Sequence, residues 1–164
     1  MVLKIPFKLI QLGLSTVSTI PGRLEIIKLN ANHTIINDTY NANIASMIAA
    51  IKVLENMPGH KIFVSGDMSE LGNNNHLYHD MIGNFIYTSK INEVMSIGKL
   101  SINISKNSNK GEHYDSYNML INNLIKKMSM YKILTVLIKG SRSAGLEKLV
   151  KKIIQDYNHD LTYY

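Results

Sequence analysis

The 164-residue sequence contains no cysteine and has three prolines. The lack of cysteine excludes disulfides, thiolate metal sites and a cysteine nucleophile, and it agrees with a reducing compartment, so we expect the cytoplasm. Lys4, Pro6 and Lys8 interrupt the apolar start of the chain, and no small-residue cleavage site closes it. We therefore expect neither a signal peptide nor a membrane span.

Apolar residues make up 45% of the sequence and charged residues 18%, which is typical of one globular domain with a core of its own. The net charge is +6. Such a charge could attract nucleic acid or another polyanion. The alternative is that the lysines lie on solvated helix faces, as in "LEKLVKKII". No aromatic stacking motif accompanies the charge, so we expect no nucleic-acid partner.

The first twenty residues form a segment distinct from the rest of the chain. The pattern predicts an amphipathic helix that ends near Gly13 and a Ser/Thr-rich linker that leads to Pro21. This helix has no obvious partner within the chain. We therefore divide the sequence into a leading segment (1–20), one domain (21–157) and a short tail (158–164).

Strand and helix patterns alternate from residue 23 onward. "LEIIKL" and "HTIIN" flank the turn signal "NAN", which indicates a hairpin. Further strands are predicted at "KIFVSG", "NEVMSIG" and "ILTVLIKG", and helices at 44–57, 76–89, 116–128 and 146–157. Residues 101–114 read as an irregular stretch with one short extended segment. This order predicts an α/β fold: a mostly parallel sheet with helices on both faces, preceded by a short hairpin.

Polar residues follow four of the predicted strands. The stretches are "NDTYNAN", "GDMSELG", "GKLS" and "KGSRSAG". In parallel sheets the ligand site lies beyond the carboxyl ends of the strands, so we expect all four to converge on one edge.

Each stretch has a structural and a functional interpretation. "NDTYNAN" suits a turn and a helix N-cap, and equally a nucleotide held by N–H groups at a helix start. Asp67 and Glu70 suit either an N-cap with a first-turn acid or a shared carboxylate site. "KGSR" suits a capped turn, or a phosphate or carboxylate site. For His76 and His79 we expect no metal, because no third ligand lies at a fixed spacing.

Four segments carry a resemblance to a known family: "PGRLEIIKL", "NDTYNANIASMIAAIKVLENMPG", "VSGDMSELG" and "LIKGSRSAGLEKLV". In this order and spacing, from Pro21 to Val150, they resemble the C-terminal domain of the Mur ligases. "DTYNAN" followed by "GDMSELG" is specific to the branch that joins D-alanyl-D-alanine to UDP-N-acetylmuramoyl-tripeptide. The resemblance implies a Rossmann-like lid that closes on a central ATPase domain.

The same resemblance implies ATP-dependent chemistry with Mg²⁺, in which a peptide carboxylate becomes an acyl phosphate that the dipeptide amine attacks. Five residues would face the nucleotide: Arg23 at the hinge, Asp38, Tyr40, Asn41 and Asn43. Four would lie toward the incoming dipeptide and the reacting phosphate: Asp67, Lys139, Ser141 and Arg142. Ile44 stands where the family often has proline, which we treat as a minor departure.

These residues hold no counterpart of the family's UDP-binding domain, or of its central domain with the phosphate-binding loop, the Mg²⁺ ligands and the modified lysine. The resemblance implies that residues 1–20 are a remnant of the last helix of that central domain and its linker. We therefore expect the chain to be inactive alone and to need those domains, encoded with it or separately. The second hypothesis is a non-catalytic remnant, or a stand-alone module that binds nucleotides or polyanions.

Overall fold

Strands and helices alternate along the chain in the structure, a computed structural model that describes residues 5–15, 20–69 and 71–160. The strands are β1 (Glu25–Lys28), β2 (His33–Asp38), β3 (His60–Ser65), β4 (Glu93–Ile97), β5 (Gly111–Tyr114) and β6 (Leu134–Lys139). The helices are α1 (Phe7–Ser15), α2 (Ile44–Glu55), α3 (Asn75–Tyr87), α4 (Ile102–Ser108), α5 (Tyr117–Met130) and α6 (Glu147–Asp160). Two 3₁₀ turns cover Gly72–Asn74 and Arg142–Ala144.

The six strands form one sheet in the order β1-β2-β6-β3-β4-β5. β1 and β2 are antiparallel and form the predicted hairpin, whereas every other neighbouring pair is parallel. Leu137 in β6 lies opposite Ile36 of β2 on one side and Phe63 of β3 on the other. The mostly parallel α/β sheet predicted from the sequence is confirmed.

Helices cover both faces of the sheet. The layer that contains α2, α3 and α4 buries the larger apolar side chains Met47, Ile51, Leu54, Ile82, Ile86 and Ile104 against Ile36, Phe63, Val94 and Leu137. The layer that contains α5 and α6 buries Leu120, Ile121, Leu124, Met128, Leu149, Val150 and Ile153 against strand residues of the opposite face. All six residues of β6 are buried, because this strand is covered from both sides.

The carboxyl ends of β3 and β6 form a topological switch point. These strands are neighbours, but the chain leaves β3 toward α3 on one face and leaves β6 toward α6 on the other. In open α/β sheets, this arrangement opens a crevice between the two strand ends where ligands bind. The loops that follow β3 and β6 are the "GDMSELG" and "KGSRSAG" stretches.

The prediction of an irregular stretch at residues 101–114 is wrong for the first half of that stretch, because Ile102–Ser108 form the helix α4. This helix has only seven residues, and two of its three buried residues, Ser105 and Ser108, are polar, so no apolar stripe indicates it. The short extended segment predicted there is β5, a polar edge strand that pairs with β4.

The leading helix extends to Ser15, two residues beyond its predicted end, and no residue in it is buried. Its apolar side chains face solvent, with Phe7 78% and Leu14 70% exposed. Residues 16–19 of the predicted linker and 161–164 of the predicted tail lie outside the described residues. None of the helices in the described ranges is long and apolar enough to cross a membrane.

Candidate functional site

A buried ion pair joins the carboxyl ends of β2 and β6. Asp38 and Lys139 are register partners on the two strands. The Lys139 ammonium lies 2.7 Å from Asp38 Oδ2 and donates a second hydrogen bond of 2.8 Å to the Asn41 carbonyl. The Lys139 side chain is 2% exposed. The lysine predicted to face the dipeptide therefore fixes the start of "NDTYNAN".

The other carboxylate oxygen of Asp38 binds the segment that precedes β1. The Leu24 N–H donates to Asp38 Oδ1 at 3.0 Å, and the Tyr40 N–H donates to the Gly22 carbonyl at 3.0 Å. Arg23 lies between Gly22 and Leu24, the two residues that make these hydrogen bonds, and its guanidinium carbon lies 4.1 Å from the centroid of the Tyr40 ring. This cation–π contact keeps a positive charge and an aromatic face together at the surface.

Asn43 caps α2. Its side-chain oxygen accepts the Ser46 N–H at 2.9 Å, and the Ser46 hydroxyl oxygen accepts the Asn43 N–H at 3.0 Å, which completes a capping box. The Asn41 side-chain oxygen accepts the neighbouring Ala42 N–H at 2.7 Å. The interpretation of "NDTYNAN" as a helix N-cap is therefore confirmed for Asn43. Both asparagines remain exposed, so capping does not exclude a ligand.

A cavity of about 310 Å³ brings together every residue predicted to face the nucleotide. Its lining includes Arg23, Asp38, Tyr40, Asn41 and Asn43, and also Lys139. Its apolar lining comes from Leu24 and from Ala49 and Ala50 of α2. We call this space the β2 cavity.

Asp67, at the end of β3, binds the β4–α4 loop. Its carboxylate accepts the backbone N–H groups of Lys99 at 3.0 Å, Leu100 at 3.0 Å and Ser101 at 2.7 Å. Gly98 permits this approach, because a Cβ at its φ of 127° would lie 2.4 Å from Asp67 Oδ1. The predicted convergence of "GDMSELG" and "GKLS" is confirmed, but Asp67 caps no part of α3. Its predicted companion Glu70 lies outside the described residues.

His79 has a structural role in the same region. Its buried ring accepts the Met68 N–H at Nε2, at 3.0 Å, and donates from Nδ1 to the Asn75 carbonyl at 2.7 Å. Both ring nitrogens are thus occupied. No group of three metal-ligating His, Asp or Glu side chains occurs among residues 5–15, 20–69 and 71–160.

Three serine hydroxyls meet in the crevice between β3 and β6, and we call them the serine ring. The Ser69 hydroxyl donates to Ser141 Oγ at 2.8 Å and lies 2.7 Å from Ser143 Oγ, and Ser141 and Ser143 are 2.9 Å apart. The backbone holds Ser141 in place, since its N–H donates to the Asp67 carbonyl. Ser69 and Ser143 were not predicted as site residues, although both lie within the stretches that were.

Two further cavities meet at the serine ring. One, of about 500 Å³, is lined by Tyr40, Asn41, Arg142 and the three serines, and we call it the central cavity. Arg142 is exposed at its rim. The other, of about 880 Å³, is lined by Asp67, Ser69 and Ser143 among others, and we call it the β4 cavity.

The far wall of the β4 cavity contains Tyr117, at the start of α5. Its hydroxyl donates to the Ala144 carbonyl and so joins α5 to the turn that follows the serine ring. Burial, followed by the negative charges of Glu147 and Asp67, raises the pKa of Tyr117 above its ordinary value. Tyr117 therefore stays neutral and keeps the proton that it donates. Nothing in the sequence near residue 117 indicated this role.

Comparison with known proteins gives one consistent result. The sequence model of the family described as "Mur ligase, glutamate ligase domain" matches residues 22–142. The chain is 54% identical over 156 residues to a UDP-N-acetylmuramoyl-tripeptide--D-alanyl-D-alanine ligase of Buchnera aphidicola. The aligned region covers 95% of this chain and 34% of that protein. It is 40% identical over 144 residues to the Escherichia coli ligase of the same name, and that alignment covers 88% of this chain and 32% of the ligase.

Solved structures agree. A MurF structure from Acinetobacter baumannii superposes with a TM-score of 0.83 at 28% identity, covering 92% of this chain and 34% of that one. MurF from Thermotoga maritima in complex with ADP gives 0.77 at 25% identity, covering 91% and 34%. The chain spans about a third of the length of the relatives that it matches.

Proposed function

Because the chain belongs to the Mur ligase family, we propose that it is the C-terminal domain of a ligase that joins D-alanyl-D-alanine to UDP-N-acetylmuramoyl-tripeptide in peptidoglycan synthesis. The observation that carries this proposal is the meeting of the β2, β3 and β6 ends at one crevice, where Tyr40, Asn41 and Arg142 share a cavity with three serines. The matching relatives bear the name of this ligase.

The β2 cavity is the nucleotide-facing part of the proposal. Arg23, Tyr40, Asn41 and Asn43 offer a cation, an aromatic face and amide groups around it, which fit the ribose, base or phosphates of ATP. Asp38 also lines it, with both carboxylate oxygens already accepting hydrogen bonds from the protein. A related ligase has been solved with ADP. The sequence has no phosphate-binding loop, so these residues supply one wall of the site.

The dipeptide and the reacting phosphate belong on the other side of Tyr40, in the central cavity. Arg142 can bind a phosphate or carboxylate there through two parallel hydrogen bonds. Asp67 and Lys139 act as positioning residues in this account, because each is occupied by protein groups next to the cavities. Phosphorylation of the tripeptide carboxylate uses ATP and Mg²⁺, whose main ligands come from the part of the ligase that this sequence does not contain.

The chain alone does not ligate under this proposal. It needs a UDP-binding domain and an ATPase domain, in the same polypeptide or supplied separately, and α1 with its exposed Phe7 and Leu14 packs against them. An exposed apolar helix surface of this kind is removed from water only when another surface packs against it. The reaction takes place in the cytoplasm, in agreement with a sequence free of cysteine.

The test is a chimera in which this chain replaces the matching third of the Escherichia coli ligase, which is 40% identical to it. We expect dipeptide-dependent ADP release by the chimera and none by the same protein lacking its last third. Arg142→Ala should reduce kcat/KM by about a hundred-fold, the effect of losing a charged pair. Lys148→Ala, on the exposed side of α6, is the matched control and should leave it unchanged.

An inactive but folded chimera would contradict the proposal. A non-catalytic remnant or a stand-alone polyanion-binding module would then become the better account. Equal activity of the wild-type and Arg142→Ala chimeras would contradict the site assignment alone.

A further inference from the structure

Lysines line the edge of the sheet opposite the candidate site. The five parallel strands start at this edge, and β1 ends there, with Lys28 opposite Thr34 of β2. Across the sheet from β1 to β5, the lysines are Lys28 in β1, Lys132 before β6, Lys61 in β3, Lys90 before β4 and Lys110 before β5. Neighbouring strands are about 4.8 Å apart, so these lysines form a row, which we call the lysine edge.

Internal contacts occupy some of the cations in this region. Three further lysines lie in the last turns of α2, α4 and α5, where they offset the partial negative charge of a helix end: Lys52, Lys106 and Lys127. The ammonium groups of Lys61 and Lys110 donate to backbone carbonyls. Lys28, Lys90 and Lys132 are exposed, lie in no helix, and make no ion pair or side-chain hydrogen bond with any residue that the structure describes. These three ammonium groups are free to contact an external anion.

Acidic residues do not balance the lysine edge. The acids described nearby are Glu55, Glu93, Glu112 and Asp156. Glu93 is paired with Lys127 and Asp156 with Lys152, so neither offsets the free lysines. At the carboxyl edge, by contrast, acids match the cations: Arg23, Lys99, Lys139 and Arg142 stand against Glu25, Asp38, Asp67, Asp115 and Glu147. The net charge of +6 therefore lies mainly at the lysine edge.

Apolar side chains are exposed beside these lysines. Met130, the last residue of α5, is 73% exposed, and Ile133 next to Lys132 and Tyr87 at the end of α3 are exposed as well. A surface that recognises nucleic acid typically uses arginine, whereas both arginines of this sequence lie at the opposite edge. Lysines with exposed apolar neighbours suit an anionic bilayer instead, because headgroups attract the ammonium groups while apolar tips enter the boundary with the acyl chains.

We propose that the lysine edge is a peripheral binding surface for membranes of anionic phospholipid. Lys28, Lys90 and Lys132 contact the headgroups, and Met130 and Ile133 enter the interface. The inference goes beyond the proposed function and does not depend on it, and it requires no membrane-spanning segment. Binding in this orientation turns the carboxyl edge, with the β2 cavity and the central cavity, away from the membrane, where substrates and further domains reach it.

The binding test is co-sedimentation of the full chain with lipid vesicles. Vesicles of equal parts phosphatidylcholine and phosphatidylglycerol should bind it, less strongly as salt is added, and vesicles of phosphatidylcholine alone should not. Lys28→Gln, Lys90→Gln and Lys132→Gln combined should lower the partition coefficient about a hundred-fold, at about five-fold for each lysine. Lys28→Arg, Lys90→Arg and Lys132→Arg combined keep the charge and should retain binding.

The matched control removes the same charge elsewhere, in Lys99→Gln, Lys148→Gln and Lys151→Gln combined, at exposed positions away from the lysine edge. Because salt screens distant charges, the control should lower the partition coefficient about two-fold at most. Equal losses in the two glutamine variants, or no binding of the wild type to anionic vesicles, would overturn the inference. Release of the bound chain by duplex DNA at equal phosphate concentration would also overturn it, by showing a nucleic-acid surface.

The depth test locates the contact directly. Since the sequence has no cysteine, Met130→Cys offers a single site for an environment-sensitive dye. The dye should report apolar surroundings on anionic vesicles, whereas the same dye at Leu77→Cys, exposed on α3 near the carboxyl edge, should not. A response at position 77 alone would place the contact elsewhere and overturn the inference. Binding to neutral vesicles that survives the lysine substitutions would do the same, because it would point to the exposed apolar side chains of α1.

Discussion

Lys139 Nζ lies 2.7 Å from Asp38 Oδ2, and these two almost fully buried side chains join β2 to the central strand β6 at the edge of the sheet where the site lies. Asp38 extends the connection through Oδ1 to the Leu24 N–H. One ion pair thereby fixes the Tyr40–Asn41 segment and the residues that lead into β1. The position of the Arg23 guanidinium over the Tyr40 ring depends on this ion pair and on the hydrogen bond to Leu24.

Lys139→Met should destabilise the chain by about 3–5 kcal/mol, because it leaves the Asp38 carboxylate buried without its cation. Urea unfolding at neutral pH measures the loss. Lys139→Met combined with Asp38→Asn should recover part of it, since no unpaired charge is then left. Lys152→Met, which removes an exposed ion pair with Asp156 on α6, should change stability by less than about 0.5 kcal/mol. Equal losses in the two single variants would refute the role of burial.

Asp67→Ala should loosen the β4–α4 loop, because three backbone N–H groups lose their acceptor at once. We expect a loss of about 2–3 kcal/mol in unfolding free energy and faster hydrogen exchange at Lys99, Leu100 and Ser101. Exchange in β2 should remain as in the wild type. Unchanged exchange at the three amides would show that the carboxylate does not hold this loop.

Asn43 has a capping role that can be separated from a role in binding. Asn43→Ala should cost about 1 kcal/mol, whereas Asn43→Ser keeps a capping oxygen and should retain stability. In the chimera, Asn43→Ser should nonetheless raise KM for ATP if the amide group faces the nucleotide. A serine variant with wild-type stability and wild-type KM for ATP would limit Asn43 to the cap.

Glu93 makes stability depend on pH at the opposite end of the sheet. Its carboxylate accepts hydrogen bonds from Lys127, from His60 at 2.6 Å and from Tyr131 at 3.0 Å. Burial alone would raise the pKa of Glu93, but these bonds outweigh it and hold the pKa below its ordinary value of 4.5. A lowered folded-state pKa stabilises the fold above the unfolded-state pKa, and the stabilisation is lost as the pH falls through the folded-state value.

Wild type should therefore exceed Glu93→Gln in unfolding free energy by about 1 kcal/mol at neutral pH, and this gap should shrink below pH 4.5. The groups that face Glu93 are His60 on β3, Lys127 on α5 and Tyr131 directly after α5, with Glu112 of β5 acting on Lys127. Asp115→Asn, at an exposed position, is the control and should show a small gap at every pH. A Glu93→Gln gap that stays constant from neutral to acidic pH would contradict the shifted pKa.

Local patterns in the sequence predicted the hairpin, the positions of the buried strands along the chain and the edge where the polar stretches meet. Those features depend on residues close together in the chain, such as the turn "NAN" and the apolar run that becomes β6. Helix α4 was missed because seven residues are too few for a period to show, and its buried face carries Ser105 and Ser108.

The partners of the site residues were not predictable from the sequence. Lys139 was grouped with Ser141 and Arg142 because they are close together in the chain, yet Lys139 is the last residue of β6 and its buried ammonium pairs with Asp38 on the neighbouring strand β2. The serine ring depends on strand order, since β3 and β6 become neighbours only when the chain returns through α5. Contacts of this kind are set by topology, not by a local pattern.

The measurement that tests the central claim most directly is mass analysis of the product that the chimera makes from UDP-N-acetylmuramoyl-tripeptide, D-alanyl-D-alanine and ATP. We predict the mass of the nucleotide plus the dipeptide minus one water, together with one ADP and one phosphate per product. No such product from a folded chimera, under conditions where the unmodified Escherichia coli ligase makes it, would contradict the assignment of this chain as the C-terminal domain of that ligase.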